Sequence, residues 1–315
     1  MNHLMYAMTS TTATTPACPN CAPDQVGPAG PRDFGTIQGY RLKRCPNCDL
    51  QLLDPQPDDP TLASIYKEEY YNAWGLQGDV SITRDLKLAT FARLLGRVRT
   101  AAAGTPRLLD CGAATGYLME KAQELGMEPY GVELSEFGAE QIARRFGPHR
   151  VFCGPFERAG FNGIDREFFD VITMIDFLEH VRDPMGTLAK ASDLLKPGGQ
   201  LVILTPDAGS LSRRVMGPRW LHYKVEHLFY FSPRSLPKAL HQAGFVDVGI
   251  GRAWKMMNLH YLAHQLGAYP HPLLTPIIKS LHWLSPPPLR RARFPISFGE
   301  LLAYARKPGA TADSH

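Results

Sequence analysis

From residue 108 onward, short apolar runs recur, and each is followed by a turn and then by apolar positions at helical spacing. Leu108-Leu109-Asp110-Cys111 is the first run. The turn Gly112-Ala113-Ala114-Thr115-Gly116 follows, and residues 117–125 then set Leu118, Ala122 and Leu125 on one helical face. A second strand, 129–133, ends in Glu133, 23 residues after Asp110. Residues 136–146 read as helix and 149–153 as a third strand. The fourth, 169–175, is almost continuously apolar, as a parallel strand buried on both faces should be. A helix over 185–195, a turn at Lys196-Pro197-Gly198-Gly199 and a fifth strand at 200–206 come next. After these the pattern gives a helix at 234–243, a sixth strand at 245–251 and a last strand at 301–306. Strands alternating with helices predict a doubly wound α/β sheet, in which an acid at the end of the second strand can take a ribose diol.

The pattern ahead of this region differs. Residues 1–17, with the run Thr9 to Thr15, read as a disordered tail. Residues 18–60 read as a small metal-bearing unit and a linker. Cys18-Pro19-Asn20-Cys21 and Cys45-Pro46-Asn47-Cys48 are two C-x-x-C turns with 23 residues between them. This duplication fits a four-thiolate zinc ribbon better than a redox dithiol, which needs one such pair. Four thiolates close the coordination sphere, so Cys18, Cys21, Cys45 and Cys48 are expected to hold a structural Zn2+. Pro55, Pro57 and Pro60 among acids make 49–60 read as the linker. Residues 61–76 carry Leu62, Ile65, Tyr66, Tyr70, Tyr71 and Trp74. They form either a helix packed on the next domain or a lid in which the ring faces of Tyr70 and Tyr71 meet a cationic ligand. Residues 84–99 form an amphipathic helix leading into the first strand. Cys111 and Cys153, in or beside strands, read as core residues.

Composition narrows the class without naming a chemistry. The chain has 315 residues, 44% hydrophobic and 20% charged, ordinary for a soluble globular protein. A net charge of +4 is too small to argue for nucleic acid, and only Arg41, Lys43 and Arg44 cluster on the ribbon. No apolar run reaches the roughly 20 residues that span a bilayer, and no secretory signal opens the chain. With four of six cysteines in close pairs, a disulfide scaffold does not fit, and the expectation is a cytoplasmic protein.

The glycine turn departs from the G-x-G-x-x-G spacing that holds a pyrophosphate. With the acid Glu133, the post-strand run Asp176-Phe177-Leu178-Glu179-His180-Val181-Arg182-Asp183-Pro184 and Leu195-Lys196-Pro197-Gly198-Gly199, it resembles the class I S-adenosylmethionine-dependent methyltransferases. Glu226-His227-Leu228-Phe229-Tyr230-Phe231-Ser232 resembles the small-molecule branch that includes the quinone-biosynthesis O-methyltransferases. The resemblance covers about 104–251 and the terminal strand. It implies a Rossmann-like seven-stranded, mostly parallel sheet with helices on both faces, carrying a small N-terminal zinc ribbon and a helical cap insertion. The resulting division is a methyltransferase domain at 61–251 with an N-terminal helical lid, a cap insertion at 252–298, and the final strand and tail at 299–315.

The resemblance further implies that Asp110, Gly112, Ala114, Gly116, Glu133, Phe156 and Met174 bind the donor S-adenosylmethionine, Glu133 through the ribose hydroxyls. Asp176 stands at the reacting centre. An oxygen acceptor needs its proton removed, which suits histidine: His180 is the first candidate base and His227 the second. The expected reaction is methyl transfer to a small-molecule or carbohydrate-precursor acceptor, at oxygen. An RNA-base methyltransferase that holds nucleic acid on the ribbon, and a non-catalytic zinc-stabilised interaction protein, are the alternatives. The insertion holds an apolar stretch and then Arg290, Arg291 and Arg293, so residues 273–293 read either as a cap over the acceptor pocket or as a peripheral contact with an anionic membrane.

Overall fold

The structure, a computed structural model, describes residues 18–26, 30–65, 80–98, 104–161, 166–268, 272 and 274–309. The tail at 1–17 and the pair Tyr70 and Tyr71 lie outside the described residues. The strands in chain order are β1 (Arg32–Ile37), β2 (Tyr40–Arg44), β3 (Gln51–Leu53), β4 (Arg107–Cys111), β5 (Glu128–Glu133), β6 (Val151–Cys153) and β7 (Phe169–Ile175). They continue with β8 (Leu195–Pro206), β9 (Phe229–Tyr230), β10 (Val246–Arg252), β11 (Lys255–Met257), β12 (Phe294–Ile296) and β13 (Glu300–Arg306).

The main sheet has seven strands in the order β10-β13-β8-β7-β4-β5-β6. Strands β8, β7, β4, β5 and β6 are parallel, and β13 runs antiparallel to both of its neighbours. From β4 the chain winds outward through β5 and β6, then returns to lay β7 on the other side of β4. The β4/β7 junction is therefore where the winding reverses, the position at which open α/β sheets leave a crevice beyond their carboxyl ends. The continuous apolar character of β7 is explained by burial: Val171, Ile172 and Met174 are fully enclosed between the helical layers.

Several boundaries differ from the sequence reading. The third strand begins only at Val151, because Pro148–Arg150 forms a 3-10 turn before it. The helix leading into β4 spans Val80–Leu95 and starts earlier than the apolar periodicity shows. Strand β8 already pairs through Leu195 with Phe169, so Lys196 to Gly199 form an irregular part of the ladder. Cys153 is exposed at the end of an edge strand and is not a core residue.

The larger correction concerns residues 49–60. They do not form a plain linker: Leu50, Leu52 and Leu53 are fully buried, and β3 pairs with β2 on one side and β9 on the other. A three-residue strand is too short to show a period of two, and the prolines that suggested a linker begin only after it. Through β3 the cysteine unit is stitched into the segment that carries His227, with Leu53 N–H donating to the Leu228 carbonyl at 3.0 Å. The insertion contains helices Leu259–Ala268, Leu274–Leu284 and Pro287–Arg291, based on a two-stranded ribbon formed by β11 and β12.

Candidate active site

The turn after β4 is held by its backbone. Gly112, Ala114 and Gly116 all have positive φ, at 76°, 50° and 79°. Gly112 is constrained twice, since a Cβ there would lie 2.9 Å from the Phe177 ring. Gly112 N–H and Ala113 N–H both donate to the Val132 carbonyl, which ties the turn to β5. At the end of β5 the Glu133 carboxylate is nearly enclosed. Its Oε2 accepts from Ala114 N–H at 2.7 Å and its Oε1 from Ser135 N–H at 2.8 Å. The two oxygens of a carboxylate are suited to receiving the two hydroxyls of a diol. Gly138, on the following helix, lets the backbone close over this pair: a Cβ there would lie 2.5 Å from the Ala114 carbonyl oxygen.

Asp110 is buried one residue before the strand end and accepts from Thr173 Oγ1 at 2.7 Å, joining β4 to β7. Burial pushes its carboxyl up to about 7, and neighbouring Glu133 adds to the effect. Met174 is fully buried at the carboxyl end of β7, opposite Cys111. Phe156, also buried, stands edge-on to Phe177 with ring centres 6.0 Å apart. These seven residues thus gather near the carboxyl ends of β4, β5 and β7.

At the mouth of β7, Asp176 takes a positive φ of 51° and lies 3.0 Å from the Lys255 ammonium. The Asp176 side chain is 43% exposed; desolvation by the surrounding chain opposes its charge, but Lys255 outweighs it and holds the carboxyl below its ordinary value. Lys255 also pairs with Glu300, and despite burial the two carboxylates raise its pKa above the ordinary value. His180 Nδ1 lies 3.0 Å from the Glu226 carbonyl oxygen. A carbonyl can only accept, so Nδ1 carries the proton and the lone pair is on Nε2. Burial lowers the imidazole to about 4, while Asp176 favours its charged form. The His227 ring meets His180 edge-on at 4.7 Å, and burial next to that ring carries its pKa well below 6.5. Both histidines are therefore neutral at physiological pH.

Glu179, fully buried, accepts from Thr205 Oγ1 at 2.9 Å, and burial, reinforced by Asp176, pushes it up to about 8. One donor atom each from Glu179, His180 and His227 lies within 4.8 Å of the other two, a set whose nitrogen and oxygen ligands suit a divalent cation. Sequence reading missed Lys255, His222 and Lys87. His222 is half-buried near Glu300, Lys255 and Asp176, and desolvation lowers its pKa. The Lys87 ammonium lies 5.7 Å from the centre of the Tyr117 ring, at the start of the helix that follows the glycine turn. No carboxylate among the described residues pairs with it, and burial, aided by Lys255, lowers it to about 8. None of the three stands in a motif; each is a single polar residue whose meaning comes from long-range packing.

The four cysteines of the N-terminal unit converge and are all buried. Cys18 Sγ and Cys48 Sγ are 3.5 Å apart, and Cys45 Sγ and Cys21 Sγ 3.8 Å. Zinc–sulfur bonds of about 2.3 Å in a tetrahedron place the sulfurs roughly 3.8 Å from one another, so the donor set fits a zinc ion. Lys238 Nζ and Asn47 Nδ2 reach Cys21 Sγ at 3.1 and 3.5 Å, positions from which they can offset thiolate charge.

A seven-stranded sheet with one antiparallel strand next to its edge, a glycine turn after the central strand and an acid ending the next make up the architecture of a methyltransferase domain. The chain belongs to the family described as Methyltransferase domain, whose model matches residues 83–249. Among its relatives is the tRNA U34 carboxymethyltransferase of Syntrophotalea carbinolica, 29% identical over 58% of this chain and 57% of that protein. Another is the ubiquinone biosynthesis O-methyltransferase of Ruegeria pomeroyi, 32% identical over 53% of this chain and 69% of that one. The match thus spans little more than half to two-thirds of these relatives. A solved S-adenosylmethionine-dependent methyltransferase from Archaeoglobus fulgidus superposes with a TM-score of 0.51 at 18% identity, covering 76% of this chain and all of that one. One from Thermotoga maritima gives 0.50 at 20% identity, covering 78% of this chain and 98% of that one. At these identities the structural likeness speaks to the fold alone.

Proposed function

We propose that this methyltransferase holds its donor along the 112–116 turn, with the ribose diol on Glu133, and methylates a hydroxyl oxygen of a small molecule. The acceptor's place is beside Asp176, His180, His227 and Lys255. When bound, S-adenosylmethionine supplies a methyl carbon activated by its sulfonium, so the chain provides alignment and a route for one proton. Phe156, Met174 and Asp110 shape the floor, and Gly112, Ala114 and Gly116 bring backbone close to the ligand. Lys87 is placed to meet the donor's carboxylate near Tyr117.

One observation carries the oxygen assignment. His180 is neutral and gives its Nδ1–H to the Glu226 carbonyl, which makes Nε2 the basic nitrogen of the ring. Asp176 stabilises the imidazolium that results. His227 packs against this ring and orients it. The ubiquinone biosynthesis relatives support an oxygen acceptor. The four-cysteine unit holds a structural Zn2+ that fixes β3 against β9 and thereby the His227 segment.

The experiment is methyl transfer from labelled donor to phenols, alcohols and amines by wild type, His180→Ala and His227→Ala. Transfer to phenols or alcohols that falls at least about a hundredfold in His180→Ala supports the assignment. Transfer to amines alone, or turnover unchanged in both variants, contradicts it.

The carboxymethyltransferase relatives, named for tRNA U34, keep an RNA acceptor as the second reading. The ribbon's cations speak against it: Lys43 is paired with Asp54, Arg44 lies 3.1 Å from Asp49, and Arg41 Nε donates to the Asp54 carbonyl. Salt-dependent RNA binding would favour this reading over the first.

A further inference from the structure

The insertion presents its apolar side outward. In the helix Leu274–Leu284, the inward positions are Thr275, Ile278 and His282, spaced i, i+3, i+7. Thr275 Oγ1 donates to the Leu266 carbonyl and His282 meets His260, so this face is packed on the preceding helix. Leu274, Ile277, Leu281 and Leu284 form a second stripe at i, i+3, i+7, i+10, and all four are exposed, Ile277 at 54% and Leu284 at 70%. Trp283 at 78% and Leu289 at 60% extend it. An ordinary surface helix buries its apolar stripe and exposes its polar one; here the arrangement is reversed.

The charged residues of the insertion itself are of one sign. Between Asp247 and Glu300 the chain contains no acid, while Lys279, Arg290 and Arg291 lie on or beside this helix; Arg293 is paired with Asp85 at 3.0 Å. Lys279 and Arg291 are exposed. The segment also lies outside the residues that match the family model, so the methyltransferase fold itself does not account for it. No helix among the described residues is long and apolar enough to cross a membrane. An exposed apolar stripe, a tryptophan at its end and exposed basic residues beside it are what an interfacial helix needs to lie in the headgroup region of an anionic bilayer.

We propose that the face formed by Leu274, Ile277, Leu281, Trp283 and Leu284 docks the protein on an anionic membrane surface, with Lys279 and Arg291 against the lipid headgroups. A protein partner would find the same apolar stripe but would have to bring the acidic surface that a bilayer offers everywhere. This inference is independent of the acceptor assigned above.

The test is flotation of the full chain with vesicles of phosphatidylcholine alone and of phosphatidylcholine with about one-third phosphatidylglycerol, alongside light scattering in the absence of lipid. Wild type should float with the anionic vesicles and far less with the neutral ones. Lys279→Gln combined with Arg291→Gln should lower the partition coefficient about 30-fold. Trp283→Ala combined with Leu284→Ser should abolish flotation while leaving the circular dichroism spectrum and S-adenosylhomocysteine binding intact, as these side chains are exposed. No flotation of wild type, or flotation unaltered in both variants, overturns the proposal. A dimer that dissociates in the Trp283→Ala, Leu284→Ser variant, with no vesicle binding by wild type, assigns the face to a second copy and overturns it as well.

Discussion

Ala114 N–H donates to Glu133 Oε2 at 2.7 Å, so the turn leaving β4 is fastened to the end of β5 by the carboxylate to which the ribose is assigned. Ala114 has a positive φ, a conformation that L-residues adopt at a cost, and the bond to Glu133 helps offset it. Glycine turn and acid are therefore one device. Altering either should disturb the other.

Gly138→Ala tests that coupling without touching the ligand-facing groups. The new methyl would lie 2.5 Å from the Ala114 carbonyl oxygen and 2.8 Å from Glu133 Cγ, and backbone cannot yield as a flexible side chain does. Stability should fall by on the order of 1–3 kcal/mol in a urea titration, with weakened S-adenosylhomocysteine binding in the folded fraction. Gly104→Ala, where nothing lies within 4 Å, should change neither.

Lys87 can be tested with two ligands that differ in one group. S-adenosylhomocysteine has a carboxylate and methylthioadenosine does not. Lys87→Met should weaken the first by at least about tenfold, the loss of one charge-assisted bond, and leave the second within twofold or so. Equal loss of both in calorimetry would place Lys87 elsewhere in the mechanism.

The pH dependence of stability has a definite sign at His180. Burial lowers it to about 4 from an ordinary 6.5, so between those values the unfolded chain binds a proton that the native chain refuses. Its contribution is complete above about pH 6.5 and is lost as the pH falls through about 4. Glu179, raised to about 8 by burial, acts in the opposite sense and loses its contribution as the pH rises toward 8. Comparing wild type with His180→Gln isolates the first effect. Between about pH 7 and pH 5 the urea midpoint of wild type should drop more than that of the variant. A larger drop in the variant would mean that His180 is charged in the native state.

Zinc should be structural and felt at a distance. Purified protein should carry one zinc per chain by emission spectroscopy, and Cys48→Ser should lose it and melt at lower temperature. Since β3 bridges the cysteine unit to β9, metal loss should also broaden the His227 imidazole resonances. A metal-free protein with unchanged melting and His227 signals would remove zinc from the account.

Much of this was legible in the chain because the relevant signals are local. β4, its turn, Glu133 and the β7 mouth each reside in a few consecutive residues whose types are dictated by burial on both faces or by positive φ. The paired C-x-x-C turns were equally plain. What stayed hidden was set by long-range packing. Leu50, Leu52 and Leu53 read as part of a linker because their partners, Phe229 and Tyr230, lie far along the chain. Lys255 and Lys87 carry no motif and acquire meaning only where the insertion and the leading helix close on Asp176 and Tyr117. Cys153 resembled a core residue because its strand is short and its edge position cannot be read from composition.

The most direct measurement is calorimetric titration of the zinc-replete protein with S-adenosylmethionine and S-adenosylhomocysteine, for wild type and Glu133→Ala. A single site is expected in wild type, with binding weaker by on the order of a hundredfold in the variant, which loses two ribose contacts to a charged acceptor and strands the Ala114 and Ser135 amides. Equal affinity in the two proteins would show that the ribose is not held at the end of β5, and would contradict the site described.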